Sequence, residues 1–224
     1  MTTVAIMQPY FFPYAGYYRL FALADIFVIL DCVQFPRRGW VHRNKFSCQD
    51  RSLKWLTVPL QKASYNSPIS SLNFAENAHE TFQKRIATFP NLSESLNDKN
   101  DFSSIVLNFQ GTYVDYLERT LRHTTTKLGY EPKIYRSSQL NISHEKKGQA
   151  RIEAIAQEFE ATKYINLEGG INYYQPNSFQ NLGITLAVFT PYKGKKISIL
   201  ERLLNNETSA ITKEIKQNLD LLEF

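Results

Sequence analysis

Cysteine and long apolar runs are both scarce in this sequence of 224 residues. Cys32 and Cys48 are the only cysteines, too few for a disulfide scaffold and not spaced like the ligands of a zinc site. We therefore expect reduced thiols in a cytoplasmic protein. No apolar run approaches the ~20 residues that a membrane-spanning helix needs, and the basic region of a signal peptide is missing. The sequence thus predicts neither a membrane segment nor a secretory signal.

Several motifs that mark well-known chemistry are absent as well. The chain has no P-loop, no glycine-rich dinucleotide fingerprint, no Ser-His-Asp order and no paired-carboxylate motif. His79, His123 and His144 lack the spacing of metal ligands, which leaves His42 as the one histidine in a cluster of recognition-capable residues. We therefore expect no bound metal and no cofactor.

The composition is that of a globular protein with a basic and aromatic character. Hydrophobic residues make up 43% of the chain and charged residues 21%. The net charge of +5 suits a phosphate-bearing ligand, but the dense basic stripe of a nucleic-acid-binding protein is missing. Aromatic residues cluster at positions 10–21, too many for one face of a single helix. Some of them must line a cavity, pack in a second layer or contact a partner.

Apolar runs that alternate with helical patterns predict an α/β protein with a parallel sheet. The expected strands are residues 4–7, 26–30, 133–136, 162–166 and 184–189; the expected helices are residues 13–24, 143–160, 176–182, 198–204 and 209–222. Residues 43–48 and 53–60 flank a turn signal and predict a β-hairpin, and residues 69–74 are a candidate further strand. Residues 78–127 look helical, divided by Pro90 and the polar stretch "NLSESLNDKND". We expect one domain over residues 1–224, with residues 43–128 as a hairpin and a helical cap inserted into it.

The first constellation is "QPYFFPYAGY", between the first strand and the first helix. A loop here directs backbone N–H groups and the positive end of the helix dipole at a ligand, which favours phosphate or carboxylate. Gly16 would let a ligand approach the helix closely. In the alternative interpretation, the two prolines shape a turn and the aromatic residues fill the core. The candidate substrate-binding residues of this segment are Gln8, Pro9, Tyr10, Gly16 and Tyr17.

The layout of this segment resembles the nucleotidylyltransferase superfamily, in which a first-strand loop precedes a His-x-Gly-His element. This resemblance implies a Rossmann-like, nucleotidylyltransferase-like sheet. The matching positions here are Tyr14-Ala15-Gly16-Tyr17, so both histidines that stabilise a transferring phosphoryl group are missing. The departure argues against adenylyl transfer and leaves a nucleotide-related pocket open. The tract "KGKKIS" at 193–198 resembles the lysine-rich second signature only weakly, and solvated lysines are its simplest explanation.

The second constellation is "DCVQFPRRGWVHRN", which holds more recognition-capable side chains than a solvated turn requires. Guanidinium groups can grip phosphates, an indole can stack on a ring, and amides can read hydroxyl groups. The candidate catalytic residues are Asp31, Gln34, His42 and Asn44, and the candidate binding residues are Arg38, Trp40 and Arg43. Asp31 could accept the proton of a substrate amine, or it could be a structural partner of Arg38 or Arg43. Alternatively, Arg37 and Arg38 form surface ion pairs and Trp40 packs on the hairpin.

The third constellation is "KYINLEGGINYYQPNSF", a strand followed by a polar loop with two glycines. Asn166 would end the strand, and Gly169 and Gly170 permit backbone conformations that other residues avoid. Tyr173 and Tyr174 could close over a ligand. In a parallel sheet this loop opens at the same edge as the first two constellations. The alternative is a tight turn with a tyrosine pair packed below it.

Together with "ISILERLLNN", these motifs resemble the WbqC-like family of bacterial proteins from the N-terminus to about Asn206. The likeness covers Gln8, Pro9, Pro13, Gly16, Tyr17, Asp31, Gln34, Arg43, Asn44, Asn166, Gly169 and Gly170. His42 lies where the family pattern requires no histidine, which speaks against a universal base role for it. The resemblance implies a cytoplasmic protein that handles a nucleotide-activated sugar during synthesis of surface polysaccharide, such as the O-antigen of lipopolysaccharide.

We therefore expect a transferase that modifies an amino sugar on a nucleoside diphosphate by moving an acyl or aminoacyl group onto its amine. The expected partners are a nucleotide-linked sugar and a thioester donor, either an acyl-CoA or an acyl- or aminoacyl-carrier protein, with no membrane and no nucleic acid. One alternative is a nucleotidylyltransferase-like enzyme that uses a nucleoside triphosphate. A second alternative is a non-catalytic protein that binds nucleotides or nucleic acid through "RRGWVHRNK".

Overall fold

A computed structural model describes residues 1–97 and 101–224 of the chain. The strands are β1 (Thr3–Met7), β2 (Ile26–Ile29), β3 (Arg43–Ser47), β4 (Leu53–Thr57), β5 (Lys133–Arg136), β6 (Lys163–Asn166), β7 (Thr185–Phe189) and β8 (Leu221–Glu223). The α-helices are α1 (Arg19–Leu23), α2 (Ala78–Ile86), α3 (Pro90–Asn97), α4 (Asp101–Val106), α5 (Tyr113–Lys127), α6 (Gly148–Glu158), α7 (Pro176–Asn181), α8 (Ile199–Leu204) and α9 (Thr208–Lys216). Short 3-10 turns occupy Ala15–Tyr18, Ile69–Ser71, Ser137–Gln139 and Glu168–Tyr173.

The central sheet has the strand order β5-β2-β1-β6-β7-β8. The first five of these strands are parallel and β8 runs antiparallel to β7. The chain moves outward from β1 to one side through β2 and β5, then returns to the other side of β1 through β6 and β7. Strand order therefore reverses between β1 and β6, and a sheet of this kind binds ligands beyond the carboxyl ends of its strands near that point. The prediction of an α/β fold with a mostly parallel sheet is confirmed.

Helices cover both faces of the sheet because its strands are apolar on both sides. On β1, Ala5 packs into a large cluster with residues of α1, α5, α8 and α9. Its neighbours Val4 and Ile6 point to the opposite face and pack into a second cluster with α6 and α7. The carboxyl edge of the sheet is consequently left to loops, which is where polar side chains can gather.

The predicted hairpin is present as β3 and β4, which pair antiparallel. Phe46 and Leu56 of the hairpin belong to the same buried cluster as Phe82, Leu92 and Leu117 of the helical segment. The helical character expected for residues 78–127 is also present, with α3 beginning at the predicted break. Residues 98–100 of the polar stretch lie outside the described residues. That residues 43–128 form an insertion into a single domain stays a prediction.

Several element predictions were wrong in part. The helix expected over residues 13–24 begins as a 3-10 turn, Ala15–Tyr18, and is α-helical only over Arg19–Leu23. The strand expected over residues 53–60 ends at Thr57. Residues 69–74 form a 3-10 turn and one isolated bridge rather than a strand. The helix expected from residue 143 begins at Gly148, whose φ of +53° is incompatible with helix continuing upstream. The helix expected over residues 209–222 ends at Lys216, because Asn218 donates its side-chain amide to the Glu214 carbonyl and the chain then turns into β8. β8 pairs with the edge strand β7, a long-range contact that local helical periodicity does not report.

Helices that are both long enough and apolar enough to cross a membrane are absent from residues 1–97 and 101–224.

Candidate functional site

The loop that follows β1 makes an unusual backbone turn at Phe12, which has a φ of +43°. A bulky residue in this left-handed region is strained unless its surroundings hold it there. The Asn44 side-chain amide donates to the carbonyls of Phe11 and Phe12 at 3.0 and 2.6 Å. The Ser198 hydroxyl donates to the same Phe12 carbonyl at 3.0 Å. Two side chains from distant parts of the sequence thus fix the shape of the first loop.

Backbone contacts add to this connection. The Phe11 N–H donates to the Trp40 carbonyl at 2.9 Å, and the Ile199 N–H donates to the Pro13 carbonyl at 3.1 Å. The first constellation, the second constellation and the segment after the lysine tract therefore meet at one place. That place lies beyond the carboxyl end of β1, beside the point where strand order reverses.

A cavity of about 270 Å³ opens where these three segments meet. Its lining residues are Tyr10, Pro13, Tyr14, Trp40, Asn44 and Lys196. Burial raises the pKa values of Tyr10 and Tyr14, so both phenols keep their protons at neutral pH and can donate hydrogen bonds. The Lys196 ammonium makes no hydrogen bond or ion pair with a described residue. The cavity therefore combines aromatic walls with one uncompensated positive charge.

The lysine tract is held in place by a half-buried carboxylate. Glu214 accepts a hydrogen bond from the Lys195 N–H at 3.1 Å and forms an ion pair with the buried Arg202 guanidinium at 2.9 Å. Tyr192 donates its hydroxyl to the same carboxylate. A Cβ at Gly194 would overlap Glu214, so the close approach of loop and carboxylate requires glycine there.

Beneath the cavity lies Arg19, which is fully buried. Its guanidinium pairs with Glu168 at 2.8 Å and donates to the carbonyls of Gly16 and Thr190. It also lies over the Tyr192 ring at 5.1 Å. The positive charge is compensated by an anion and by carbonyl oxygens, which is what burial of a guanidinium requires. Arg19 thereby ties the first loop to the loop after β6.

Part of the third constellation reaches the cavity region. The hydroxyl of Tyr173 is close enough to Tyr10 to add, after burial, to the rise of the Tyr10 pKa. Glu168 contributes in the same way, again after burial, to the raised pKa of Tyr14. The loop after β6 therefore opens at the same edge of the sheet as the first loop, as the parallel arrangement predicts.

Other residues of that constellation point elsewhere. The Asn166 amide donates to the Tyr164 hydroxyl at 2.9 Å, and its oxygen accepts the Leu167 N–H at 2.7 Å. Tyr164 belongs to the buried cluster that packs against α6 and α7, so Asn166 lies on that face of the sheet. Gly170 lies so close to Asn166 that a Cβ would overlap its amide, whereas Gly169 has open space around it. None of these three residues lines the cavity.

Several candidates of the first constellation are parts of the core. Tyr17 is fully buried and donates its hydroxyl to the Gln8 carbonyl at 2.8 Å. A Cβ at Gly16 would overlap the Tyr14 ring and lie 2.7 Å from Tyr192, so its missing side chain makes room for two rings rather than for a ligand. Pro9 is buried and Gln8 half-buried, and both lie outside the cavity lining. Tyr10 is the candidate of this segment that lines the cavity.

Asp31 and Gln34 also lie outside the cavity lining. The Asp31 carboxylate accepts hydrogen bonds from both serines of the turn after β5, Ser137 at 3.0 Å and Ser138 at 2.6 Å. It thus links the carboxyl ends of β2 and β5, and the alternative in which Arg38 or Arg43 is its partner is wrong. The Gln34 amide donates to the Tyr65 carbonyl at 2.9 Å. A catalytic role for either residue stays a prediction.

The arginines of the second constellation shape their own loop or remain exposed. Arg43 donates to the carbonyls of Arg38 and Gly39 and lies 4.1 Å over the Trp55 ring. Arg37 donates to the Ala63 carbonyl at 2.8 Å. The surface ion pairs that we considered for Arg37 and Arg38 are not formed with any described residue.

His42 packs beside the hairpin and outside the cavity lining. Its ring meets the Phe35 ring edge-on with centroids 4.9 Å apart, and its Nδ1 is buried without a hydrogen-bond partner among the described residues. Burial, followed by the charges of Arg43 and Arg85, lowers the pKa of His42 from 6.5 to about 4. The imidazole is therefore neutral at pH 7.

Several residues that shape this site were not among the sequence candidates, among them Arg19, Tyr14, Glu168, Ser198 and Lys196. Tyr14 and Lys196 lie in segments whose resemblance to nucleotidylyltransferase signatures drew attention to them for a different chemistry. The tract "KGKKIS" was thus a usable signal, although solvated lysines were its simplest explanation. Arg19 carries no local signal, because a guanidinium in an aromatic helix is recognisable only from its buried partners.

The model of the WbqC-like protein family matches residues 8–212, a range that contains every residue of the cavity. The chain belongs to the WbqC-like protein family. A relative from Mycobacterium tuberculosis (strain ATCC 25618 / H37Rv) is named "Uncharacterized protein Rv1507c". It is 27% identical over an alignment of 227 residues, gaps included, and the alignment covers 92% of this chain and 94% of the relative. The comparison with solved structures gives no significant match, so the nucleotidylyltransferase-like fold stays a prediction.

In this WbqC-like protein, loss of the Asn44 side chain should destabilise the first loop more than loss of the Ser198 hydroxyl. Asn44→Ala removes both bonds to the strained turn, and we expect a loss of about 2–4 kcal/mol in the free energy of unfolding. Ser198→Ala removes one bond from a carbonyl that keeps the other, and we expect about 1 kcal/mol. Urea denaturation checks both values. Equal losses would contradict the assignment of Asn44 as the main support of the turn.

His42 should make the stability of the protein depend on pH. Because its pKa is lower in the folded state than its ordinary value, the unfolded chain binds the proton first as pH falls. The contribution of His42 to the free energy of unfolding should therefore be fully present above pH 6.5. It should decrease as pH falls from 6.5 towards 4. His42→Phe keeps a ring against Phe35 and should flatten this decrease, measured by urea unfolding at several pH values. The exposed His144→Phe is the matched control, and an equal flattening there would count against the prediction.

Proposed function

We propose that this WbqC-like protein transfers an acyl or aminoacyl group from a thioester donor to the amine of a nucleotide-linked amino sugar bound at the cavity. The observation that carries the proposal is the cavity itself, with aromatic walls and a single unpaired lysine at the carboxyl edge of a parallel sheet. Membership of the WbqC-like family agrees with it, because the sequence motifs on which the resemblance rests include the segments that meet there.

The size of the cavity sets what it can hold. A volume of about 270 Å³ is near the lower limit of ligand pockets, which start at about 300 Å³. It accommodates one ring rather than a whole nucleotide sugar. Tyr10 and Trp40 offer flat apolar surface to the face of a sugar or a base, and the tyrosine hydroxyl can donate to a ring substituent. The remainder of the ligand would then extend out of the cavity mouth.

Lys196 supplies the charge that the rest of the ligand requires. A diphosphate carries negative charge, and an ammonium group without an anionic partner binds it as a point charge. The neighbouring Lys193 is exposed and adds positive potential at the same loop, whereas the Lys195 ammonium lies 3.6 Å from the Glu207 carboxylate. The Glu214 anchor fixes the backbone of this loop. The proposal therefore assigns Lys196 to the diphosphate and the aromatic walls to a ring.

The chemical step is nucleophilic attack of the sugar amine on the thioester carbonyl. A carbon–nitrogen bond forms, the carbon–sulfur bond breaks, and the leaving thiolate takes up the proton that the amine loses. The products are an amide and a free thiol. Because a thiolate leaves easily, the protein mainly has to hold the two reactants in contact. Asn44 contributes by fixing the loop that bears Tyr10 and Tyr14, and these phenols can donate hydrogen bonds to the substrate.

Tyrosines lie at the two positions where a nucleotidylyltransferase has its phosphoryl-transfer histidines. These residues favour acyl transfer over nucleotidylyl transfer. Tyr14 is a wall of the cavity and Tyr17 is committed to the Gln8 carbonyl inside the core. Neither position supplies a cation to a transferring phosphoryl group. Modification of the sugar, at a distance from the phosphates, is therefore the better use of this loop.

Incubation of the purified protein with a nucleotide amino sugar and an acyl thioester should yield a sugar whose mass increases by the acyl group. The measurement is mass spectrometry of a panel of nucleotide amino sugars, with the corresponding nucleotide sugars that bear a hydroxyl in place of the amine as controls. Release of pyrophosphate from a nucleoside triphosphate with Mg²⁺ is followed in parallel. Pyrophosphate release without any acylated sugar would reject the proposal in favour of nucleotidylyl transfer.

Removal of the Lys196 charge should weaken binding of a nucleoside diphosphate sugar without unfolding the protein. For Lys196→Met we expect a rise of about tenfold in Kd, the value of one charge-assisted contact, together with a weaker dependence on salt. Lys193→Met is the matched control, because this lysine lies in the same loop but outside the cavity lining. Isothermal titration calorimetry measures both. Equal effects of the two substitutions would mean that only the general charge of the loop matters.

A further inference from the structure

Positive charge is concentrated in one segment of the chain. Between Asp31 and Glu76 the sequence contains a single acidic residue, Asp50, and seven lysines and arginines. The segment therefore carries more net positive charge than the whole chain, whose net charge is +5. The seven basic residues are Arg37, Arg38, Arg43, Lys45, Arg51, Lys54 and Lys62. This segment includes the hairpin and the loop that leads into it.

None of these cations forms an ion pair with a described residue. The described ion pairs that involve arginine or lysine all lie outside residues 32–75. Arg37 and Arg43 are bound by backbone carbonyls, which carry no net charge. Like charges gathered without counterions raise the free energy of the folded protein. Such a surface attracts an anionic partner over a distance.

The outer face of the hairpin adds exposed apolar surface to this charge. Trp40, Leu53 and Trp55 are 43%, 45% and 39% exposed. The two indole rings contact each other with centroids 5.0 Å apart, and Arg43 and Lys45 lie over Trp55 at 4.1 and 5.3 Å. We refer to Trp40, Arg43, Lys45, Leu53 and Trp55 as the hairpin face. Tryptophan and arginine at the centre of a polar rim are typical of protein–protein hot spots.

The geometry of the rings favours a protein over a nucleic acid as the partner. Binding of single strands depends on free aromatic faces on which bases stack. The Trp55 ring is already covered by the Arg43 guanidinium and the Lys45 ammonium, and Trp40 packs against it. The exposed parts of these indole side chains suit apolar side chains of a partner, while the surrounding cations suit its carboxylates.

The hairpin face adjoins the cavity because Trp40 belongs to both. We propose that the hairpin face docks a small acidic carrier protein that delivers the acyl group as a thioester on its flexible pantetheine arm. A carrier bound there would place its thioester at the mouth of the cavity, next to the sugar amine. This inference rests on the proposed function and specifies the donor.

The test uses a purified bacterial acyl carrier protein that bears its pantetheine arm. Lys45→Glu combined with Lys54→Glu reverses two charges of the hairpin, one half-exposed and one exposed, whose side chains make no described ion pair and do not line the cavity. Lys146→Glu combined with Lys147→Glu is the matched control, because it changes the net charge equally at an exposed segment before α6. At low ionic strength we expect the wild type to bind the carrier and the first variant to bind it about tenfold more weakly. The control variant should bind like the wild type.

Two further measurements distinguish loss of carrier docking from loss of the acylation reaction. Circular dichroism and retained binding of a nucleoside diphosphate sugar must first show that the variants are folded. Acylation from the carrier should then be impaired in the Lys45–Lys54 variant, whereas acylation from the free acyl-CoA should be unchanged.

Several results would overturn the inference. These are no binding of the carrier to the wild type, equal losses in both variants, or tighter salt-dependent binding of single-stranded DNA or phosphatidylserine vesicles through the same residues. Acylation from acyl-CoA that the carrier does not improve would also reject the docking surface while leaving the proposed function intact. Absence of acylation from every thioester, with carrier binding preserved, would reject the proposed function instead.

Discussion

The cavity depends on the carbonyl of Phe12, which accepts hydrogen bonds from Asn44 and Ser198. A left-handed phenylalanine is unfavourable by itself, so these bonds offset a backbone cost of about 1–3 kcal/mol. They also join the first loop, the start of the hairpin and the beginning of α8. Because Tyr10 and Tyr14 flank the turn, its shape determines where both rings lie. The three sequence segments meet around this one turn.

Two buried arginines provide the second support. Arg19 lies under the first loop with Glu168 as its anion, and Arg202 lies under the lysine tract with Glu207 and Glu214. A buried ion pair contributes little net stability, but removing one partner leaves a charge that costs about 3–5 kcal/mol. Such pairs tolerate only one arrangement of the loops above them. The loops of the cavity are therefore set on a rigid base.

Much of the architecture follows from local sequence pattern, whereas the site does so only in part. The parallel strands, the hairpin and the helical middle were predictable because apolar periodicity and turn residues report local structure. Which aromatic residues line the cavity and which lie in the core was not predictable from the sequence. Tyr10 and Tyr14 line the cavity while Tyr17 lies in the core. A left-handed turn and a 3-10 turn interrupt the regular helical periodicity from which the buried face of a segment is predicted. Likewise, Asp31 was plausible as a base from its position, and only the two serines after β5 reveal its structural engagement.

The basic residues fall into two groups, those paired inside the fold and those left without an ion pair at the surface. The buried guanidiniums of Arg19 and Arg202 have carboxylate partners within the chain, which their burial requires. Lys196 and the cations of the hairpin segment form no ion pair with a described residue, and they are exposed or half-exposed. Cations that the fold does not neutralise interact with whatever anion approaches, and their repulsion weakens when it binds. In both proposals the missing anion comes from a ligand: the diphosphate of a sugar nucleotide at Lys196, and the carboxylates of an acidic carrier at the hairpin. Trp40 lines the cavity and also contacts Trp55 of the hairpin, so the two ligands would then lie next to each other, as transfer of a group between them requires.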